Sequence, residues 1–190
     1  MVEGPRSVRR KRSDAQRNAE TLLDAAARAF VTAGVDAPVR EIAAAAGVGV
    51  GTFYRHFPTR ADLVVAVYRH QVEACAQAGP ALLAKHRSAY AALVEWVDLF
   101  VDFLVTKRGL AGALQSDTAA YATLHAHFLD RLVPVCEDLL RAAAQAGEIV
   151  PDVDPVGLMR GVGNLCIGAD VDSGYDARRM VGLLIAGLRA

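Results

Sequence analysis

The sequence predicts an all-α protein: a small N-terminal three-helix domain containing a helix-turn-helix, then a larger C-terminal helical bundle. Three observations carry this. Apolar residues recur at three- and four-residue spacing along nearly the whole chain, and no stretch alternates as a strand would. Glycines and prolines fall between the periodic runs, at Gly34, Gly47, Gly79-Pro80, Gly109 to Gly112, Gly147 and Pro151. Between Pro38 and Arg60, two short segments with apolar faces flank a single glycine, the pattern of a helix-turn-helix.

Residues 1–12 hold Gly4, Pro5 and a cluster at Arg6, Arg9, Arg10, Lys11 and Arg12, and read as a flexible basic arm. Ser13 followed by Gln16 resembles a capping box and starts a first helix, in which Ala19, Leu22, Leu23, Ala26 and Phe30 share a face until Gly34 ends it. Pro38 suits the first turn of a second helix, with Asp36 as a partial substitute for a hydroxyl cap. Ile42, Ala43 and Ala46 line the inner face of that helix. Gly47 makes the turn, and Val48 and Phe53 are the apolar contacts of the third. Thr59 caps a fourth helix at Arg60, with Leu63, Val64, Ala66 and Val67 inward, and Gly79-Pro80 is expected to stop it.

From Ser88 to Thr106, Glu95, Asp98 and Asp102 form one narrow stripe while apolar residues cover the other sides. Such a helix is buried on several sides and belongs in the middle of a bundle. Gly109 to Gly112 breaks the pattern. A long helix follows from Thr118 to Ala146, with a kink expected at Pro134 because its ring crowds the Asp130 carbonyl. Asp154-Pro155 opens a helix through Gly168, and Tyr175 to Leu188 makes the last.

The candidate recognition helix carries Tyr54, Arg55 and His56, and a basic run precedes the unit, which together point to DNA. The run Gly51-Thr-Phe-Tyr-Arg-His-Phe-Pro-Thr-Arg-Ala-Asp-Leu63, behind Ile42-Ala-Ala-Ala-Ala-Gly-Val48, resembles the DNA-binding domain of the tetracycline-repressor (TetR) family over residues 14–70. The tail from Leu139 to Leu188 resembles the C-terminal domain of an actinobacterial branch of these regulators. The resemblance implies a basic arm at 1–12, a DNA-binding domain at 13–60, and a helical ligand-binding and dimerisation domain at 61–190. It places Thr52, Tyr54, His56 and Arg60 at phosphate-contacting positions, chemically apt because each donates hydrogen bonds. Arg40, Val50, Gly51 and Arg55 fall near base edges. Gly49 stands where many relatives carry serine, so one hydroxyl contact is missing.

Net charge is zero, but residues 1–70 carry +4 and residues 71–190 carry −4. A basic head on an acidic body suits a nucleic-acid contact at one end and excludes a uniformly basic binder. Cys75, Cys136 and Cys166 are isolated, as expected of reduced thiols in a cytosol. No apolar run reaches the ~18–20 residues that span a bilayer, and no signal-peptide pattern follows the N-terminal charges. A cytoplasmic protein with no membrane partner is expected.

No catalytic constellation is visible: no nucleophile elbow, no H-E-x-x-H, and no Walker lysine-serine pair beside Gly47-Val-Gly-Val-Gly51. No cofactor is implied. His125 and His127, two apart on a helix, diverge, and His70 with Cys75 and Cys136 lacks metal-ligand spacing, so no metal site is assigned. Gly157, Gly161 and Gly168 share a face of the penultimate helix, and Met180, Val181, Leu184 and Leu188 share one of the last. By resemblance these two helices form the contact of a homodimer, which suits a palindromic double-stranded operator. The effector cavity is expected among the helices at 88–106, 118–146 and 155–168. Trp96, Phe100, Phe103, Tyr121, His125, Phe128 and Cys166 are its candidate lining, suited to an uncharged or weakly polar small molecule. The resemblance thus implies a ligand-released repressor. Other readings of the same helices are a dimeric interaction module with vestigial DNA binding and a metal-sensing regulator.

Overall fold

The computed structural model describes the backbone of residues 5–113, 118–167 and 174–190, and the side chains from residue 18 onward within those segments, except 105, 108–113 and 118. Among the described residues it is a helical bundle of α1 (Pro5–Ala33), α2 (Val39–Ala45), α3 (Val50–His56), α4 (Arg60–Lys85), α5 (Ala89–Ala113), α6 (Thr118–Gln145), α7 (Pro155–Cys166) and α8 (Ala177–Ala186). The described residues include no strand; a single antiparallel bridge, Ile149 to Arg189, ties the chain's end to the α6–α7 loop.

Helix α1 starts at Pro5 rather than Ser13, so the basic cluster is helical. Pro5 is preorganised for a first turn, and extending a long helix through Arg and Lys costs little once it is nucleated. Leu22, Ala25, Ala26 and Phe30 are its buried face. Gly34, at φ +74°, ends it, donating its N–H to the Phe30 carbonyl at 2.9 Å.

Helix α4 does not stop at Gly79-Pro80 but continues to Lys85. Pro80 lies on the exposed side, and Gly79 is buried where α4 meets α6: a Cβ there would overlap Val135 Cγ1. The glycine marks a close helix crossing, not a terminus. Helix α5 likewise runs through Gly109 to Gly112 and ends at Ala113. Packed against α1, α4, α6, α7 and α8, it is the central helix. Its Leu93, Trp96, Val97, Phe100, Phe103 and Leu104 are buried. The Trp96 indole N–H donates to the Cys75 carbonyl at 2.9 Å, and Tyr68 O–H donates to the Leu124 carbonyl at 3.2 Å, so α4 is pinned to both α5 and α6. Pro134 sits within α6, which continues on both sides of it.

The acidic stripe of α5 is paired rather than merely solvated. Glu95 accepts from Lys85 at 2.8 Å and lies 2.6 Å from His86 Nε2. Asp102 pairs with Arg178 near the start of α8. Glu148 accepts from the Tyr90 N–H at 2.6 Å in the first turn of α5.

Candidate nucleic-acid interface and ligand cavity

Helices α2 and α3 meet through a turn fixed by backbone bonds. Gly47, at φ +68°, donates to Ala44, and Val48 donates to Ala43, both at 3.0 Å, which satisfies the last carbonyls of α2 as a Schellman cap does. Neither short helix has a side-chain N-cap: Pro38 and Gly49 occupy those positions, and Asp36 supplies no substitute cap. Their stability comes from burial of Ile42, Ala43 and Phe53, with Phe57 edge-on to Phe53 at 5.6 Å. Thr59 and Asp62 form a reciprocal capping box that starts α4 immediately after the unit.

With Phe53 turned inward, α3 presents its opposite side to solvent. Arg40, Gly49, Val50, Gly51, Tyr54, Arg55 and His56 are exposed, Tyr54 by 51%. Gly49 and Gly51 meet nothing where a Cβ would project, so the backbone is open to close approach there. Thr52 is half-buried, its hydroxyl accepting from Arg55 Nη2 at 2.9 Å. Arg60 differs from the rest. Its Nη2 donates to the Ala37 carbonyl at 2.6 Å and its guanidinium lies over the Phe30 ring at 5.5 Å. It joins the first residue of α4 to α1 and to the segment entering α2, instead of standing free.

A cavity of about 480 Å³ lies among α5, α6 and α7. Of the expected lining residues it brings together Phe100, Tyr121, His125, Phe128 and Cys166. Phe100, Phe128, His125 and Tyr121 form a continuous stacked row with successive centroids 6.1, 5.6 and 6.3 Å apart. Trp96 and Phe103 are excluded: both are fully buried, Trp96 behind Phe100 and Phe103 between Tyr68 and Phe128. Ten lining residues were not among those read from the sequence, and two of these are cationic, Lys107 and Arg160. Phe100, Leu104 and Lys107 stand at i, i+4 and i+7, one face of α5, and that spacing was the available signal.

Lys107 makes no ion pair among the described residues. Its Nζ rests 3.9 Å above the Phe128 ring centre, and burial pushes its pKa down to about 8. Burial, and then the Lys107 charge, lowers the His125 pKa, which favours a neutral imidazole whose buried Nδ1 has no hydrogen-bond partner among the described residues. Two cationic side chains thus line a cavity whose expected ligand, from the sequence, is uncharged or weakly polar.

On α7 and α8 the expected interface residues divide between core and surface. Gly157 faces its own cap, donating to Asp154 Oδ2 at 2.6 Å, and does not mark a helix approach. Gly161 does, with Leu184 Cδ2 at 3.5 Å from its Cβ position. Val181 is buried in the protein's own core, and Leu184 and Leu188 pack against that core. Met180 is exposed, and Gly168 lies outside the described residues. The exposed apolar groups here are Val156, Ile167 (69%), Met180 and Leu183 (59%). Met180, from the stripe read in the sequence, stays exposed, and it shares that face with Leu183, which the stripe did not include. Cys75, Cys136 and Cys166 are buried, and burial pushes the Cys75 and Cys136 thiols up to about 12. His127 faces Glu73, which also binds Arg131, and among the described residues no three metal-ligating side chains converge. No helix of the described residues is long and apolar enough to cross a membrane.

An exposed second helix of a helix-turn-helix, carried on a helical bundle, defines a DNA-binding regulator. Residues 22–67 match the model of bacterial regulatory proteins of the tetR family, and residues 88–190 match the C-terminal domain of SbtR-like transcriptional regulators. The chain belongs to the TetR family of transcriptional regulators, which bind DNA rather than catalyse a reaction. It is similar to the crystal structure of a TetR regulator from Streptomyces coelicolor, at 34% identity and a TM-score of 0.74 over 90% of this chain and 98% of that one. A regulator from Mycobacterium vanbaalenii is 31% identical, with a TM-score of 0.66 over 94% and 99%. A regulator from Saccharomonospora viridis, solved with choline, shares the fold at 19% identity and a TM-score of 0.58 over 90% and 96%. Comparison with curated proteins gives no significant match.

Proposed function

We propose that the protein is a homodimeric, ligand-responsive repressor that works in the cytoplasm and leaves a palindromic operator when a small molecule enters the α5–α7 cavity. The observation that carries this is the cavity itself, an aromatic-walled space in the helices directly packed on α4, whose first residue, Arg60, is fastened to the DNA-binding unit. The choline bound by the Saccharomonospora viridis regulator supports a small-molecule effector in this fold without naming this chain's ligand.

In this reading α3 enters the major groove, with Arg40, Gly49, Val50, Gly51, Thr52, Tyr54, Arg55 and His56 at the DNA face and the basic residues before Ser13 adding sequence-independent affinity. The exposed apolar surface of α7 and α8 pairs two copies. A two-fold dimer must hold its recognition helices ~34–36 Å apart to fill successive major grooves. A ligand that shifts α5 and α6 against α4 moves that spacing, provided it binds the two states unequally.

The test is fluorescence anisotropy with DNA from the gene's own upstream region beside scrambled DNA, at two salt concentrations. Discrimination of ~10³ or more supports operator recognition. Weak and equal binding to both would reject this operator and favour an interaction module.

A further inference from the structure

The cavity's charges are one-sided. Its ionisable described lining is Lys107, Arg160, His125, Tyr121 and Cys166, with no carboxylate among them. Elsewhere on the same helices cations have partners: Arg178 has Asp102, Arg131 has Glu73, and Arg141 has Glu137 and Asp138. Lys107 is half-buried and rests on an aromatic face, where a desolvated ammonium is only partly compensated. Beside it, His125 Nδ1 is a buried polar atom without a partner among the described residues.

We propose that the effector is an amphipathic organic anion, with an apolar body along Phe100, Tyr121 and Phe128 and a carboxylate-like group at Lys107, while exposed Arg160 at the rim steers it in. This rests on the effector-cavity reading above. A bound anion gives Lys107 the charge-assisted hydrogen bond that the protein withholds. A cationic ligand fares worst, because the Phe128 face that would attract it already carries an ammonium at 3.9 Å and no acid of the described lining offsets the repulsion. A neutral ligand fills the space and leaves Lys107 as it was.

Calorimetric titration of the full-length protein at neutral pH with three isosteric probes separates these cases: p-butylbenzoate, p-butylbenzamide and p-butylbenzylammonium. The benzoate is expected to bind about tenfold or more tighter than the amide, and the ammonium weakest. Lys107→Met should bring benzoate and amide level while amide binding persists, which shows the cavity intact; Lys107→Arg should keep the order. Equal or tighter binding of amide or ammonium overturns the inference, as does a benzoate preference that survives Lys107→Met. Failure of all three probes overturns it too. Operator binding measured on the same preparation is independent: if it discriminates while no probe binds, the DNA-binding reading stands and the ligand inference alone falls.

Discussion

Arg60 reaches back 23 residues to donate to the Ala37 carbonyl at 2.6 Å, so the helix that leaves the DNA-binding unit is bonded to the segment that enters it. This contact, with the Arg60 guanidinium over the Phe30 ring, joins the start of α4 to α1 and to the segment that enters α2. Arg60→Ala should therefore lower stability by about 1–3 kcal/mol, by losing a charged hydrogen bond and leaving the Ala37 carbonyl unpaired. Thermal unfolding measures it. The salt slope of operator binding should stay unchanged, whereas Arg55→Ala should reduce it by about 0.9 if that side chain neutralises one phosphate. A matching drop in Arg60→Ala would instead put Arg60 on the DNA.

Gly51 has open space where a Cβ would stand, within a helix of seven residues. Gly51→Ala should raise helix stability by up to ~1 kcal/mol in the free protein. If the DNA backbone approaches α3 there, the same change should weaken operator binding. Opposite signs in unfolding and anisotropy experiments are the expected outcome; unchanged DNA affinity would move the closest approach away from Gly51.

Gly79 gives the contrary case. A methyl there overlaps Val135 Cγ1, and a β-branched valine on a helix has little rotamer freedom to yield. Gly79→Ala should cost about 1–3 kcal/mol despite its better helix propensity, because overpacking outweighs the ~1 kcal/mol gained. A stabilised variant would mean that α4 and α6 separate easily at this crossing.

These two glycines show what was readable in the chain. The helix-turn-helix was legible because local chemistry decides it: Gly47 must take positive φ, Phe53 is the inward apolar residue of a short helix, and Thr59 with Asp62 caps the next. Gly79-Pro80 was misread because a close helix crossing and a helix end both call for glycine, and only tertiary contact separates them. The cavity's aromatic row followed from helical spacing, but Lys107 did not. A lysine on an apolar helix ordinarily extends its ammonium to solvent, and its inward placement over Phe128 is set by α6, not by its own neighbours. The apolar stripe of α8 divides for the same reason: Val181 is claimed by the protein's own core, and Met180 is left exposed beside Leu183, which the stripe did not include.

Leu183 is the more exposed of the two, and a second copy of the chain is its proposed partner. Leu183→Glu would place an unpaired carboxylate in that contact and should weaken the dimer roughly a hundredfold or more. Sedimentation velocity over a concentration series reads the shift. A dimer unaffected by this change would exclude the exposed face of α8 from the interface.

Lys107 sets two pH trends of opposite sign. Burial holds its pKa at about 8, below that of an unfolded lysine, so between these values the unfolded chain binds more protons and Lys107's contribution to stability rises with pH. Anion binding runs the other way, since the ammonium is the proposed partner and is lost as pH climbs through 8. His125 and Tyr121 on α6 and Arg160 and Cys166 on α7 share the cavity, and burial already favours neutral His125, so Lys107 is the group expected to titrate. Affinity for p-butylbenzoate should fall about tenfold from pH 7 to pH 9, while that for p-butylbenzamide stays flat. Lys107→Met should abolish both the fall in affinity and the matching rise in apo-protein stability. If benzoate affinity holds across this range, the anion is bound by Arg160 and the rim, not by the buried ammonium.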